Sequence, residues 1–516
     1  MANASLNATR RERELEALAG GEEVDLLVIG LGVTGTGVAL DAVTRGLSVA
    51  AIDAHDLAFG TSRWSSKLAH GGLRYLANLE VAIAHESAVE RGILMEHTAP
   101  HLVRPLPMVL PLTPFVKRGA AIMAGVGLFA GDGLRLSART SRATLPRPRR
   151  LSRAETIGAA PLLRTVGLRG GLLSWDGQLE DDARLVTTIA RTAAANGARI
   201  ITRCRAEEVD GSGADVHDSH GDQRLRIRAK AVINATGVWS DQVVPNLSLR
   251  PSRGTHIVLR AETLGGLGAA LTVPVPGETA RFVFALPEPD GRVYVGLTDE
   301  PIDGEMPDVP TPPEGDIGFL LDVIGSALEV PLRRDDVVGA FAGLRPLIRD
   351  DHGGTSDVSR AHAVRRMEDG VVTIVGGKLT TYRRMAEDAV DAVLGRGLLT
   401  GAGPCRTARL PLVGAGRPND LGGLPAPRRI VRRYGSEAPA VLAAAEEDPE
   451  LLEPISAEIE TTRAELLWAV HHEGALGVDD MLDRRTRVGL IPADREVALP
   501  AAEEMLERGR LAAGAA

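Results

Sequence analysis

The chain has 516 residues, is 44% hydrophobic and 25% charged, and carries a formal net charge of −9 at pH 7. That length accommodates two or three domains with a large buried core, and the acidic balance excludes nucleic acid as the main partner. Two cysteines, Cys204 and Cys405, are too few for a disulfide framework, a zinc site or an iron–sulfur cluster. No metal is expected, and redox chemistry falls to an organic cofactor.

Residues 1–23 are charged and lack an apolar core, so they read as an N-terminal extension without a signal peptide, pointing to the cytoplasm. An apolar strand, Val24 to Ile29, follows. Gly30, Gly32 and Gly35 are spaced G-x-G-x-x-G, Val38 to Gly46 reads as helix, and Leu47 to Ile52 is a second strand ending at Asp53. Each part suits a dinucleotide. Gly30 permits the sharp turn, Gly32 lets a pyrophosphate approach the backbone, and Gly35 lets the helix pack on the strand. The helix N-terminus offers free N–H groups and partial positive charge to the phosphates. Asp53 stands at about the 20-residue distance expected of an acid that binds a ribose hydroxyl.

A Gly/Ser-rich loop, Phe59 to Lys67, leads to His70-Gly71-Gly72-Leu73-Arg74-Tyr75, and Leu79 to Met95 reads as helix. The stretch 105–153 is punctuated by proline and strongly basic, with Asp132 its lone acid. Within it, Gly119 to Gly131 is an uncharged run of 13 residues. A bilayer span needs ~20, so the run does not cross a membrane, but it can lie in an anionic interface. A buried helix followed by a solvated basic loop reads equally well from the residues. Next come a helix from Asp182 to Asn196, a strand from Ala198 to Thr202, and a strand from Ala229 to Ala235 that stops at Gly237.

Gly254 to Leu259, Phe282 to Leu286 and Val293 to Leu297 alternate as in a mixed or antiparallel sheet, and Asp299 to Gly315 reads as a loop. The strand Val371 to Val375 stops at Gly376-Gly377-Lys378, with a helix from Met385 to Leu394. From about Gly401 the text is rich in Ala, Glu and Arg and reads as a separate helical domain. Only four lysines, Lys67, Lys117, Lys230 and Lys378, stand among 59 basic residues. Where arginine has displaced lysine so fully, a surviving lysine in a glycine-flanked turn suggests a need for a compact ammonium. Lys117 and Lys230, beside other basic residues, read as solvated surface.

The pattern predicts an α/β fold: a discontinuous Rossmann-like dinucleotide domain, a mixed or antiparallel substrate domain and a C-terminal helical domain. The expected divisions are 1–23, 24–400 and 401–516. Dinucleotide-binding parts fall near 24–78, 182–245 and 336–400, and substrate parts near 79–181 and 246–335. Three strands stop at Gly30, Gly237 and Gly376, and ligands of open α/β sheets sit at such strand ends. A nicotinamide domain would be contiguous, so the split layout favours a flavin.

Several strings together resemble the FAD-dependent glycerol-3-phosphate dehydrogenases of the glycine-oxidase-like flavoprotein group. They are Thr61 to Tyr75, Asp181 to Leu185, Asn234 to Trp239, Gly254 to Val258, Gly296 to Asp299, Gly343 to Leu347 and Gly376 to Arg383. The resemblance covers nearly the whole chain. It implies oxidation of sn-glycerol 3-phosphate at C2 to dihydroxyacetone phosphate, with a hydride passing to flavin N5 and electrons onward to a membrane quinone. It also implies peripheral association with the cytoplasmic face of the plasma membrane, through residues 115–150.

By the same resemblance Arg345 and Arg74 hold the substrate phosphate, with Tyr75 and Lys378 beside them; guanidinium forks suit that anion. His70 is the preferred base for the C2 hydroxyl and His256 its competitor, because an imidazole titrates near neutrality. Gly30, Gly32, Gly35 and Asp53 fall on the ADP half of FAD. Thr61, Ser62, Ser66, Lys67 and Leu68 follow the pyrophosphate and ring. Gly237, Gly376, Leu379 and Thr380 close the site, and backbone near Ala206 meets adenine. Arg63-Trp64 is bulkier than the small residues usual in this loop.

Three alternatives stay open at this point. One is an oxidase that passes electrons to oxygen, although such relatives tend to carry a mid-chain insertion not seen here. Another is a dehydrogenase of a different hydroxy acid or amine, against which Arg345 argues. The last is a flavin-binding regulator without turnover. A homodimer is left open as well.

Overall fold

The computed structural model describes residues 2–514 except 73–79, 245–246, 248, 279–280, 303, 305, 348–361, 396, 398 and 447. Val24–Ile29 is buried along nearly its whole length, as a parallel strand covered on both faces must be. It pairs in parallel with Gln223–Asn234 on one side and Val49–Ile52 on the other. Arg199–Ile201 extends the sheet past Val49–Ile52, Val372–Gly376 extends it past Gln223–Asn234, and His362–Arg366 closes that edge antiparallel. Ile29 is level with Asn234, and Asn234 with Thr373, so three neighbouring strands reach their glycine turns at one edge. The helix Val33–Thr44 packs between Asp182–Ala195 and Tyr382–Leu394 over this sheet.

Gln223–Asn234 starts earlier than the expected Ala229. Its first half alternates Arg224, Arg226 and Arg228 with Leu225 and Ile227, and it pairs with Gly213–Asp218 as a solvent-facing hairpin. Only the buried half of the strand carries an apolar run.

Among the described residues the second sheet has ten strands and mixes parallel with antiparallel pairs. Ser252–Arg260, Phe282–Pro287 and Arg292–Gly296 are its antiparallel centre, and Gly339–Arg345 lies beside Ser252–Arg260. Proline hides one of its strands. Val103–Pro111 contains Pro105 and Pro107 yet pairs along its length with Gly171–Leu179. Its other neighbour, Ala270–Pro274, pairs only at Met108 and Val109, so neither proline is asked for an N–H on that side. The fold is thus α/β with a mixed second sheet and a helical C-terminal region.

That last region is less separate than its composition suggests. Arg184 and Glu473 form an ion pair with both side chains at most 2% exposed, and Arg191 pairs with Glu437 at 2.6 Å. Leu399 and Leu412 enter the core around the first sheet. The N-terminal extension is also built in: Ala8–Ala19 buries Leu15 and Leu18, and Leu6 forms a bridge with Glu473.

Candidate cofactor and substrate site

Two glycines of the first turn, Gly30 and Gly35, are sterically required. Gly30 has φ +105°, and a Cβ there would lie 2.6 Å from the Ala235 carbonyl oxygen. A Cβ on Gly35 would fall 1.8 Å from the Gly30 oxygen, so helix and strand could not close together. At Gly32 the nearest atom is Ser62 Oγ, 3.0 Å from the Cβ position, and Ser62 Oγ accepts the Val33 N–H at 2.9 Å. The helix has no side-chain cap from Gly32 itself. Asp53 bridges the turn: Oδ2 accepts the Leu31 N–H at 2.7 Å and Oδ1 the His55 N–H at 2.8 Å. Burial pushes its carboxyl up to about 6.

The loop after Phe59 is tied to the second sheet. Thr61 Oγ1 donates to the Leu344 oxygen at 2.6 Å, and Ser66 Oγ lies 2.8 Å from His256 Nε2. Lys67 differs from expectation. Its ammonium donates to the oxygens of Arg63 (2.9 Å) and Ser65 (3.0 Å) and to Asp182 Oδ2 (2.9 Å), which uses all three N–H groups. It is 2% exposed, and burial pushes it down to about 8 against the pull of Asp182. The ammonium therefore shapes the loop from inside, and only the backbone of Lys67 is left to meet a cofactor.

The two histidines separate clearly. His70 follows the strand Leu68–Ala69 and is half-buried; that strand packs against the turn Leu379–Thr381. His256 is 1% exposed, beneath Ser66 and stacked on Phe341 at 4.8 Å. Burial, then the nearby Lys67 and Arg345 charges, push its imidazole down to about 3. The ring is enclosed, with its Nε2 facing Ser66 Oγ.

Arg345 ends the strand Gly339–Arg345. Its Nη1 donates to Asp299 Oδ1 at 2.9 Å and to Ser252 Oγ at 3.2 Å, and its Nη2 to the Thr298 oxygen at 3.3 Å. A Cβ on Gly254 would lie 2.2 Å from Nη2, so glycine in Gly254-Thr255-His256 makes room for the guanidinium. Asp299 ends the string Gly296 to Asp299, yet its adjacency to Arg345 is visible only in three dimensions.

Lys378 donates to Ser87 Oγ at 3.0 Å, a partner on the helix Val81–Ile93. Arg74 and Tyr75 lie outside the described residues. The preceding Gly71 is described: its N–H donates to Asp176 Oδ1 at 2.9 Å, and Arg91 Nη1 occupies the place of a Cβ. Gly237 (φ +63°) and Gly376 (φ +82°) make the other two turns, beside half-buried Leu379. Ala206 lies half-buried in the strand Cys204–Asp210, whose first residue donates its N–H to the Asp53 oxygen.

Known proteins match this arrangement along most of its length. A family model described as FAD dependent oxidoreductase matches residues 25–383, and one described as C-terminal domain of alpha-glycerophosphate oxidase matches 405–508. Glycerol-3-phosphate dehydrogenase 1 of Mycobacterium tuberculosis is 53% identical, over 98% of this chain and 99% of that protein. The chain belongs to the FAD-dependent glycerol-3-phosphate dehydrogenase family. A mitochondrial glycerol-3-phosphate dehydrogenase of Saccharomyces cerevisiae is 35% identical, over 78% of this chain and 68% of its own. The glycerol-3-phosphate dehydrogenase of Bacillus halodurans, solved with FAD, superimposes with a TM-score of 0.74 at 28% identity, covering 97% and 94% of the two chains.

FAD is the cofactor of this dehydrogenase, and the residues present fit it. The helix start at Gly32, which has no side-chain cap of its own and meets Ser62 Oγ at its first N–H, suits a pyrophosphate. At the opposite turn, Thr380 Oγ1 is buried and has no hydrogen-bond partner among the described residues. A buried orphan hydroxyl beside two positive-φ glycines is what a site completed by a ligand leaves behind.

Proposed function

We propose that this dehydrogenase oxidises sn-glycerol 3-phosphate at C2 to dihydroxyacetone phosphate and passes the electrons to a membrane quinone. One observation carries the substrate reading: the Thr61–Leu344 hydrogen bond fixes the cofactor loop to the residue before Arg345. A phosphate clamp and the flavin-side loop are thereby held in one rigid relation. FAD, when bound, supplies the hydride acceptor. Arg345 binds the substrate phosphate, its other N–H groups anchored on Asp299, Ser252 and Thr298. Lys378 adds a second cation at the glycine turn, and His70 takes the hydroxyl proton on a ring nitrogen. Gly30, Gly32, Gly35, Asp53, Ser62, Gly376 and Thr380 line the cofactor. Anaerobic mixing with glycerol 3-phosphate tests this directly. Loss of the flavin's visible absorbance is expected, and an unchanged spectrum removes the reading.

The quinone reading is supported by an exposed apolar face. The helix Arg118–Ser137 exposes Ile122, Met123, Val126 and Phe129, each at least 64%. Ile122, Val126 and Phe129 follow the i, i+4, i+7 spacing of one helical face. Phe115 (68%) and Val166 (75%) project near by, since Gly167 packs on Pro114. Exposed Lys117, Arg139, Arg142, Arg147, Arg149 and Arg150 follow in the same stretch. Among the described residues no helix is long and apolar enough to cross a membrane. An apolar face with cations around it suits shallow insertion into an anionic lipid surface. Retention on membranes with partial release by salt is expected; a protein wholly in the soluble fraction counts against it. Stoichiometric hydrogen peroxide in place of quinone reduction would favour the oxidase alternative.

A further inference from the structure

One short segment of the C-terminal region reaches the cofactor loop. Residues 480–487 bury Asp480, Arg484, Arg485 and Arg487, each at most 3% exposed. Asp56 lies three residues past Asp53. It receives two hydrogen bonds from Arg485, both 2.8 Å, and one from Arg484 Nε at 2.6 Å. Burial opposes its charge, yet Arg485 and Arg484 hold the Asp56 carboxyl well below the usual carboxylate range. Farther along the loop, Arg487 Nη2 donates to the Arg63 oxygen at 2.5 Å, and that oxygen also accepts Lys67 Nζ at 2.9 Å. The Arg487 guanidinium lies over the Trp64 ring at 5.3 Å, and its backbone oxygen accepts Arg292 Nη1 at 2.8 Å.

The loop is therefore gripped at two points, one beside the ribose acid and one in the flavin-side turn. We propose that residues 480–487 form a clasp that sets the shape of the loop from Asp53 to Leu68, with Arg485 and Arg487 as positioning residues for FAD. The C-terminal domain then completes the cofactor site without touching the cofactor. By linkage, FAD bound to the loop also tightens the docking of that domain.

Simple docking of one domain on another is the competing account, and it has an internal control. Arg191 and Glu437 form a buried pair between the same two regions, through hydrogen bonds of 2.6 and 2.9 Å, and among the described residues neither bonds the loop. The test uses full-length holoenzyme with Arg485→Met, Arg487→Met and, as control, Arg191→Met. For each, the FAD dissociation constant, the flavin's visible circular dichroism and the melting temperature are measured. The clasp variants should bind FAD at least tenfold more weakly with an altered flavin signal. Arg191→Met should lower the melting temperature comparably while keeping FAD affinity within threefold. Wild-type FAD affinity in Arg487→Met overturns the proposal, as does equal FAD loss in Arg191→Met. Should Arg485→Met fail to fold, Arg487→Met decides, because it leaves both cations on Asp56 in place.

Discussion

Arg345 Nη1 and Asp299 Oδ1 lie 2.9 Å apart, with the two side chains 19% and 14% exposed. The pair is sheltered but reachable from the site, so Asp299 orients a cation without enclosing it. A charge-assisted hydrogen bond contributes roughly 1.5–3 kcal/mol. Replacing Arg345 by Met should therefore raise KM for glycerol 3-phosphate by about ten- to a hundredfold. Asp299→Asn should raise KM by a smaller factor, with kcat nearly kept. Glycerol, which lacks the phosphate, should lose nothing in either variant; steady-state kinetics with both substrates check this.

His70→Gln should slow flavin reduction in single turnover by about 10²- to 10⁴-fold, the usual contribution of a general base. His256→Gln should slow it far less, since that ring is enclosed against Ser66 and Phe341. An unchanged rate in the His70 variant would remove it from the chemistry.

Acid should destabilise the fold in a defined window. His256 and His101 are buried, and burial pushes both down to about 3 from an ordinary 6.5. Both are neutral in the folded protein, while the unfolded chain takes up protons below pH 6.5. The stability they contribute is complete above that pH and is lost as pH falls from 6.5 towards 3. The slope approaches about 1.4 kcal/mol per pH unit for each histidine. Melting temperatures from pH 7 to 5 should fall, and fall less steeply in His256→Gln; parallel curves would show that this ring does not titrate on unfolding.

Phe129→Glu combined with Met123→Glu should weaken binding to anionic vesicles at least tenfold and leave activity with a soluble dye acceptor unchanged. Loss of dye-linked activity would instead place the helix in the fold's stability. Vesicle co-sedimentation separates the two outcomes.

Much of this site could be read along the chain because its constraints are local. Gly30, Gly32 and Gly35 announce a dinucleotide turn within a few residues, and the structure supplies the steric reason at Gly30 and Gly35. What escaped was set by distant partners. Lys67 reads as a cofactor ligand among serines, but the carboxylate that turns it inward is 115 residues away. His256 reads like His70 along the chain until Phe341 stacks on it from another strand. Val103–Pro111 was masked by its prolines, whose fit depends on how far a neighbouring strand extends. The Ala- and Arg-rich C-terminal text carries a helical signature but says nothing of Asp56, the residue that Arg484 and Arg485 meet.

The scarcity of lysine has a practical consequence. Lys67 is sealed inside its loop and Lys378 is half-buried, whereas Lys117 is exposed at the head of the apolar helix and Lys230 is half-exposed beside Asp25. An amine-reactive dye applied to the native protein should thus mark chiefly two side chains. One sits where lipid contact is proposed, and the other on a strand of the first sheet. The unmutated enzyme carries its own reporter of membrane insertion together with an internal reference.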